Sequence, residues 1–309
     1  MNEELMGSDE AAGKNEAMAT GSGAAVPNSS LLIPHSSLTA PEGAVLLLDK
    51  PLTWTSFDVV RKVKNTLRIK KIGHAGTLDP LATGLLILCT GKKTKEIDLI
   101  QAQEKEYTGT FRLGETTPSF DLETAVDLVR PYAHLTDEEI GAATRPFVGT
   151  IQQTPPIFSA VKIDGKRAYE LARKGQEAEI KSKTVTVTEF ELTRIALPEV
   201  DFRIVCSKGT YVRSLARDLG VALGCGAHLT RLVRTRIGEY RVADALSLEA
   251  IEALRPPRPA GEPPRPERTR PAPKRAGLEY YAALQADALA AKEHADDEAA
   301  APAPDAATP

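Results

Sequence analysis

The residue best placed to do chemistry in this 309-residue chain is Asp79, the single acid in the stretch Gly73-His74-Ala75-Gly76-Thr77-Leu78-Asp79-Pro80-Leu81-Ala82-Thr83-Gly84. Glycines in such a stretch permit tight backbone and the close approach of a ligand. Pro80 steers Asp79 away from helical dihedrals and stiffens the loop. An acid held in this way suits nucleophilic attack or proton transfer. The same residues also suit an Asx-type turn entering a strand, and spacing leaves both readings open. The surrounding text narrows the chemistry by exclusion. No G-K-[ST] follows a glycine at Walker spacing, no second acid stands close enough in sequence for a glycosidase pair, no cluster of His and acids suggests a metal, and G-x-S-x-G is absent. The expectation is a lone carboxylate working without metal or organic cofactor.

The elements that must position Asp79 follow from periodicity and punctuation. Residues 45–48 are an apolar run ended by Asp49-Lys50-Pro51, a strand entering a turn. Thr55 or Ser56 caps a helix carrying Phe57, Val60, Val63 and Leu67 at helical spacing. After Gly84 the text predicts a strand at 85–89 and a helix at 92–100 with an unusually basic first turn. Further strands are predicted at 107–113, 158–163, 184–192, 200–206 and 228–237. Helices are predicted at 135–147, where Thr136 caps and Glu139 completes a capping box, and at 166–174, stopped by Gly175. Two more helices are expected, at 212–223, opened by the turn Ser207-Lys208-Gly209-Thr210-Tyr211, and at 248–254. Strands outnumber helices and neighbours can pair antiparallel. The fold class is α+β, with a mixed, largely antiparallel central sheet flanked by helices.

Apolar residues make up 42% of the chain, enough for a core, but they are unevenly spread. Residues 1–42 are rich in Ala, Gly, Ser and Asn, and residues 255–309 in Pro, Ala and charge; neither end is expected to bury enough surface to offset its ordering entropy. The expected organisation is a disordered tail over 1–42, a folded body over 43–254 and a disordered tail over 255–309. The net charge is −3, yet residues 43–250 hold 30 basic and 26 acidic side chains. That balance permits a polyanionic partner without requiring one. Cys89, Cys206 and Cys225 are odd in number and in no C-x-x-C spacing, which argues against a disulfide framework or a structural zinc. No run approaches the ~18 apolar residues of a membrane span, and acids stand where a signal peptide carries basic residues. A cytoplasmic protein without membrane attachment is expected.

Resemblance goes further than spacing. The 73–84 stretch is similar to the signature of the TruB-type tRNA pseudouridine-55 synthases. Leu47-Leu48-Asp49-Lys50-Pro51, Lys105-Glu106-Tyr107 and Cys206-Ser207-Lys208-Gly209-Thr210-Tyr211-Val212-Arg213 follow in the family's order, and the likeness spans about 44–240. Phe158-Ser159-Ala160-Val161-Lys162 and Gly224-Cys225-Gly226-Ala227-His228-Leu229 resemble two further family blocks. The resemblance implies a cofactor-free isomerase that detaches a uracil, rotates it and rejoins it through C5, with Asp79 as the catalytic acid. It implies that Tyr107 stacks on the flipped base and that Arg213 pairs with the catalytic carboxylate. Tyr211 and Leu232 would line the base pocket, His74 would contact the substrate near the flipped base, and Lys50 would support the site loop. Read without the family, Tyr107 is a strand tyrosine with a half-buried ring, Leu232 a core residue, Arg213 a solvated residue early in a helix, and Lys50 a surface residue in a turn.

The implied partner is tRNA, through its T-loop and T-stem, with no obligate protein partner and a monomeric state. Candidate phosphate contacts are Lys92, Lys93 and Lys95, the 162–174 segment, and Arg231, Arg234 and Arg236. Two departures stand out. The family's T-D-T-x-D is here Thr117-Pro118-Ser119-Phe120-Asp121, with Pro118 in place of the first acid and Asp121 retained. Beyond Leu254 the text is Pro-rich, with seven basic and two acidic residues over 255–275, instead of the short strands of a PUA RNA-binding domain. A guide-RNA-dependent pseudouridine synthase and a tRNA folding helper remain as rival readings.

Overall fold

The computed structural model describes residues 35–257, apart from 160, 164–165 and 169–179. In chain order the elements are α1 (His35–Thr39), β1 (Val45–Lys50), α2 (Ser56–Thr66), β2 (Ile72–His74), β3 (Ala82–Thr90), a 3-10 segment Gly91–Glu96 running into α3 (Ile97–Ala102), and β4 (Lys105–Leu113). Then come β5 (Glu115–Thr116), β6 (Leu128–Val129), α4 (Asp137–Thr144), β7 (Gly149–Gln153), β8 (Lys162–Ile163), β9 (Lys166–Arg167), β10 (Lys183–Ala196) and β11 (Glu199–Cys206). The chain continues through α5 (Val212–Ala222), β12 (Ala227–Ile237), β13 (Tyr240–Arg241) and α6 (Leu248–Ala253). Nine strands build one sheet in the order β1-β3-β12-β4-β11-β10-β7, with β2 added to β3 and β13 to β12. Its pairings are antiparallel except that of β12 with β3. This is the mixed, largely antiparallel sheet that the sequence predicts.

β3 shows why the sheet is covered on both faces. Its side chains alternate sides: Leu86 and Leu88 join a cluster with Val59 and Val63 of α2 and Ile251 of α6, while Leu85, Ile87 and Cys89 join another with Ile100 of α3. A strand buried on both faces reads as an unbroken apolar run, as this one does. α5 lays Leu215, Ala216 and Leu219 against Phe111 of β4 and Phe202 of β11, and those two rings stack with centroids 4.1 Å apart. Thr55 caps α2 in a reciprocal capping box with Asp58, and Thr136 caps α4 with Glu139 as expected.

Several expectations shift. Over 92–100 the chain takes a 3-10 course before α3 begins at Ile97. Lysines in a first turn oppose the helix dipole, and a tighter turn is the common result at a helix start. The strand predicted at 158–163 is confined to Lys162–Ile163, and Lys166–Arg167 pairs back on it as a hairpin in place of the start of a helix. Ala168 is helical, and the remainder of the predicted helix, over 169–174, lies outside the described residues. So does most of both tails, over 1–34 and 258–309. The packed part nonetheless reaches back before residue 43, because Leu38 of α1 is 1% exposed and packs among Leu46, Leu48 and Leu67.

Candidate active site

Asp79 sits on the loop between β2 and β3, and its neighbours hold that loop from several directions. Gly76 adopts φ +97°, a left-handed conformation that glycine takes without a Cβ penalty. From there five successive carbonyls each accept a hydrogen bond. Arg234 donates to Gly76 and Thr77 at 3.2 and 3.3 Å. Ser56, the first residue of α2, donates its hydroxyl to the Leu78 carbonyl at 3.2 Å and accepts the Leu78 N–H at 2.9 Å. The Ala82 N–H bonds to the Asp79 carbonyl at 3.1 Å, and the Thr53 N–H to that of Pro80 at 2.8 Å. Lys50, fully buried, donates to Pro80, Pro51 and Trp54. Lys50 is thus an internal brace of the loop and not a surface residue in a turn.

The Asp79 carboxylate meets Arg213 at 2.8 Å; the acid's side chain is 43% exposed and the arginine's 4%. One end of the pair therefore faces the cleft while the other is anchored inside. Arg213 also approaches Asp121 at 3.5 Å and donates to the carbonyls of Ser119 and Phe158. Burial opposes its charge, but Asp79, Asp121 and Glu123 outweigh it, and the guanidinium's pKa lies above the ordinary value. Arg213 is therefore no solvated residue at a helix start. Asp121 behaves differently: burial raises its carboxyl to about 6 against the pull of Arg213. Its other oxygen accepts the Glu123 N–H at 2.9 Å. Pro118 lies on the same 117–121 turn, which closes through Thr117 and Ser119 hydroxyls donated to the Asp121 carbonyl.

A cleft of about 270 Å³ opens over this pair, lined by Asp79, Tyr107, Tyr211, Leu232, Arg213 and Arg234, with Lys105 and Lys208 further along. Small-molecule sites run from roughly 300 Å³ upward, and this cleft lies at the small end of that scale. Tyr107 is 9% exposed, and burial raises its phenol's pKa. The backbone of Tyr211 is gripped by the Gln153 amide, which accepts its N–H at 2.8 Å and donates to its carbonyl at 3.1 Å. Lys183 lies 4.4 Å from the centre of the Tyr211 ring.

Asp79, Tyr107, Arg213, Tyr211 and Leu232 thus meet at one cleft. Lys50 acts on the loop behind it. His74 is not among the lining residues; it belongs to β2, paired with Leu88, and burial lowers its imidazole's pKa. The basic candidates divide. Arg231 is exposed and lines a small adjoining pocket that shares Asp79, Arg213 and Leu232 with the cleft, Arg236 pairs with Glu104 and Glu106, and Lys92 and Lys93 pair with Glu42 and Glu96. Arg234 corrects the sequence reading: it is 1% exposed and lies inside the cleft, not on a phosphate-facing surface. It and Lys105 stand two residues from Leu232 and Tyr107, on the same strand faces. That spacing is the signal that would have found both. The pairing of Asp121 with Arg213 has no such local signal, because Asp121 lies on the 117–121 turn and Arg213 in the first turn of α5, far apart in the chain.

Among the described residues no group of His, Cys, Asp and Glu is arranged to hold a metal ion, and no helix is long and apolar enough to cross a membrane. The cleft on the nine-stranded sheet is thus lined by an Asp–Arg pair together with a tyrosine. Residues 64–212 match the family described as TruB family pseudouridylate synthase, N-terminal domain, and residues 213–256 the tRNA pseudouridylate synthase B C-terminal domain. The chain belongs to the TruB family of pseudouridylate synthases. The tRNA pseudouridine synthase B of Parabacteroides distasonis is 58% identical over 68% of this chain and 92% of its own length, and that of Opitutus terrae 52% over 68% and 87%. Among solved structures, a chain of a Cbf5-Nop10-Gar1 complex matches with TM-score 0.53 and 29% identity over 73% of this chain. One of the archaeal box H/ACA sRNP Nop10-Cbf5 complex matches with TM-score 0.52 and 27% identity over 74%. This chain spans only 59% and 60% of those two chains.

Proposed function

We propose that this chain converts uridine 55 in the T-loop of tRNA to pseudouridine, with Asp79 as the catalytic carboxylate and no cofactor. The observation that carries the reading is the 2.8 Å pair of a half-exposed Asp79 with a buried Arg213 in the cleft that Tyr107 shares. Chemistry on a base in folded RNA requires extruding the nucleotide, at a cost of a few kcal/mol, into a pocket that stacks it. Tyr107, Tyr211 and Leu232 supply the walls of that pocket. Arg213 fixes the carboxylate where it can attack the sugar or the base, or take a sugar proton. His74 is assigned to RNA flanking the flipped base, and Lys50 to holding the loop. The exposed Arg231 beside the cleft suits a phosphate contact.

A guide-dependent reading draws on the solved neighbours, which sit in multi-protein complexes. The relatives at 52–58% identity named for tRNA favour the stand-alone reading, with action as a monomer in the cytoplasm. Purified chain incubated with an unmodified tRNA transcript, followed by mapping of pseudouridine, decides between them: modification at position 55 without any other macromolecule supports the proposal, and none refutes it. Asp79→Asn should keep tRNA affinity and abolish product. An Asp79→Asn protein that turns over normally would remove this residue from the mechanism.

A further inference from the structure

The cleft is lined by two buried cations that, among the described residues, form no ion pair with an acid. Lys105 is 5% exposed and Arg234 1%, and both line the cleft. Lys105 donates to the carbonyls of Gln101 and Gln103. Arg234 donates to those of Gly76, Thr77 and Leu85 and lies across from Tyr107 on the neighbouring strand. Among the described residues neither has a carboxylate within ion-pair distance, while Asp79 is committed to Arg213. Burying one unpaired charge is costly, and burying two like charges in one place costs more. A fold that keeps them beside an open cleft has a use for positive potential at that spot.

We infer that Lys105, beside Arg234, stabilises the uracil anion that exists between breaking the N1–C1′ bond and forming the C5–C1′ bond. The inference rests on the isomerase reading above. When N1–C1′ breaks, its electron pair stays on the base, and the ring carries a negative charge spread over nitrogen and carbonyl oxygens. C5 then bonds to C1′, the proton on C5 departs and N1 gains one, so atoms and electrons balance without an added reductant or oxidant. A buried cation held fixed by backbone carbonyls stabilises that transient charge without reorganising at the moment of reaction. Lys105 stands on the same face of β4 as Tyr107 and two residues from it, and Arg234 is the cross-strand partner of Tyr107. Both cations therefore flank the tyrosine assigned to the base.

The charge on Lys105 is also poised to titrate. Burial, then the nearby charge of Arg234, lowers its amine to about 8, with Cys206 acting in the opposite sense and Lys208 adding to the lowering. The groups facing it are Arg234 from β12, Cys206 from β11 and Lys208 from the following turn, with Tyr107 on its own strand.

The experiment follows kcat/KM and the single-turnover rate at saturating unmodified tRNA across pH, for wild type, Lys105→Met and Lys105→Arg. Wild type should lose kcat/KM as pH rises through about 8, since that ratio reports the free enzyme's ionisations. Lys105→Met should slow single turnover by about 100-fold while tRNA affinity moves little, and Lys105→Arg should restore turnover and abolish the alkaline limb. A lysine that merely caps the end of α3 would give a lower melting temperature and an unchanged rate per folded molecule. A lysine that merely binds a backbone phosphate would weaken affinity and spare the rate. Either result overturns the inference, as does a wild-type profile flat through pH 8 or an alkaline limb that persists in Lys105→Arg. Wild type inert on tRNA would instead refute the isomerase reading, so the two failures are distinct.

Discussion

Replacing Asp121 with Asn should change how the stability of the fold depends on pH, by an amount that follows from burial. The Asp121 side chain is 8% exposed, and burial raises its carboxyl from 3.8 to about 6 although Arg213 pulls the other way. The folded chain therefore holds this proton more tightly than the unfolded chain does. The stabilisation is complete below pH 3.8 and is lost as pH rises through about 6. A carboxyl moved across that interval corresponds to about 3 kcal/mol in all, of which about 1.3 kcal/mol falls between pH 5 and pH 7. Asparagine keeps the shape and the acceptor for the Glu123 N–H but has no proton to gain. Between pH 5 and pH 7 the wild type should lose about 1.3 kcal/mol more than the variant, or about 3–5 °C in Tm for a body of this size. Groups common to both chains cancel in the difference. Thermal unfolding of both proteins, followed by circular dichroism at matched salt, measures it. Parallel pH dependences, or a wild type that gains on Asp121→Asn as pH rises, would refute the argument from burial.

Two further perturbations probe the loop that carries Asp79. Lys50→Met removes the donor shared by the carbonyls of Pro51, Trp54 and Pro80, at roughly 1 kcal/mol or more for each buried acceptor. Single-turnover rate should fall further than tRNA affinity measured by filter binding, and equal losses in both would argue against a bracing role. Gly84→Ala forces a side chain onto a φ of +94° and brings its Cβ within 2.4 Å of the Arg234 carbonyl oxygen. About 1–3 kcal/mol of strain is expected, read as a lower melting temperature and a slower chemical step. An unchanged melt would mean that β3 and β12 separate there without cost.

Much of this site is legible in the sequence because its parts are local. The alternation of 107–113 and the apolar run of 85–89 find their strands, since side-chain direction in a strand depends on neighbouring residues alone. Thr55 and Thr136 announce their helices because a cap satisfies donors within one turn. Asp79 stands out through its glycines and Pro80, which act on the backbone next to them. By contrast, the 3-10 course over 91–96, and the pairing of Lys162–Ile163 with Lys166–Arg167 where a helix was expected to begin, carry no such local mark.

What the sequence alone determined, then, is the class of fold, the place of a lone acid in a Gly- and Pro-bounded loop, and the neighbours that strand periodicity sets beside it. Tertiary structure decided the rest. It sank Lys50 and Arg234 beneath the Asp79 loop, joined Asp121 to Arg213, and set Lys105 in the cleft with no carboxylate at ion-pair distance among the described residues. The physical reason is that a charged residue's role depends on its solvent and its partners. Those are set by residues far away in the chain: Lys50 Nζ reaches Pro80 across a sequence separation of 30, and Arg234 reaches Gly76 across 158. In the sequence a lysine or arginine reads as a solvated surface charge; only the folded sheet shows which of them have left water.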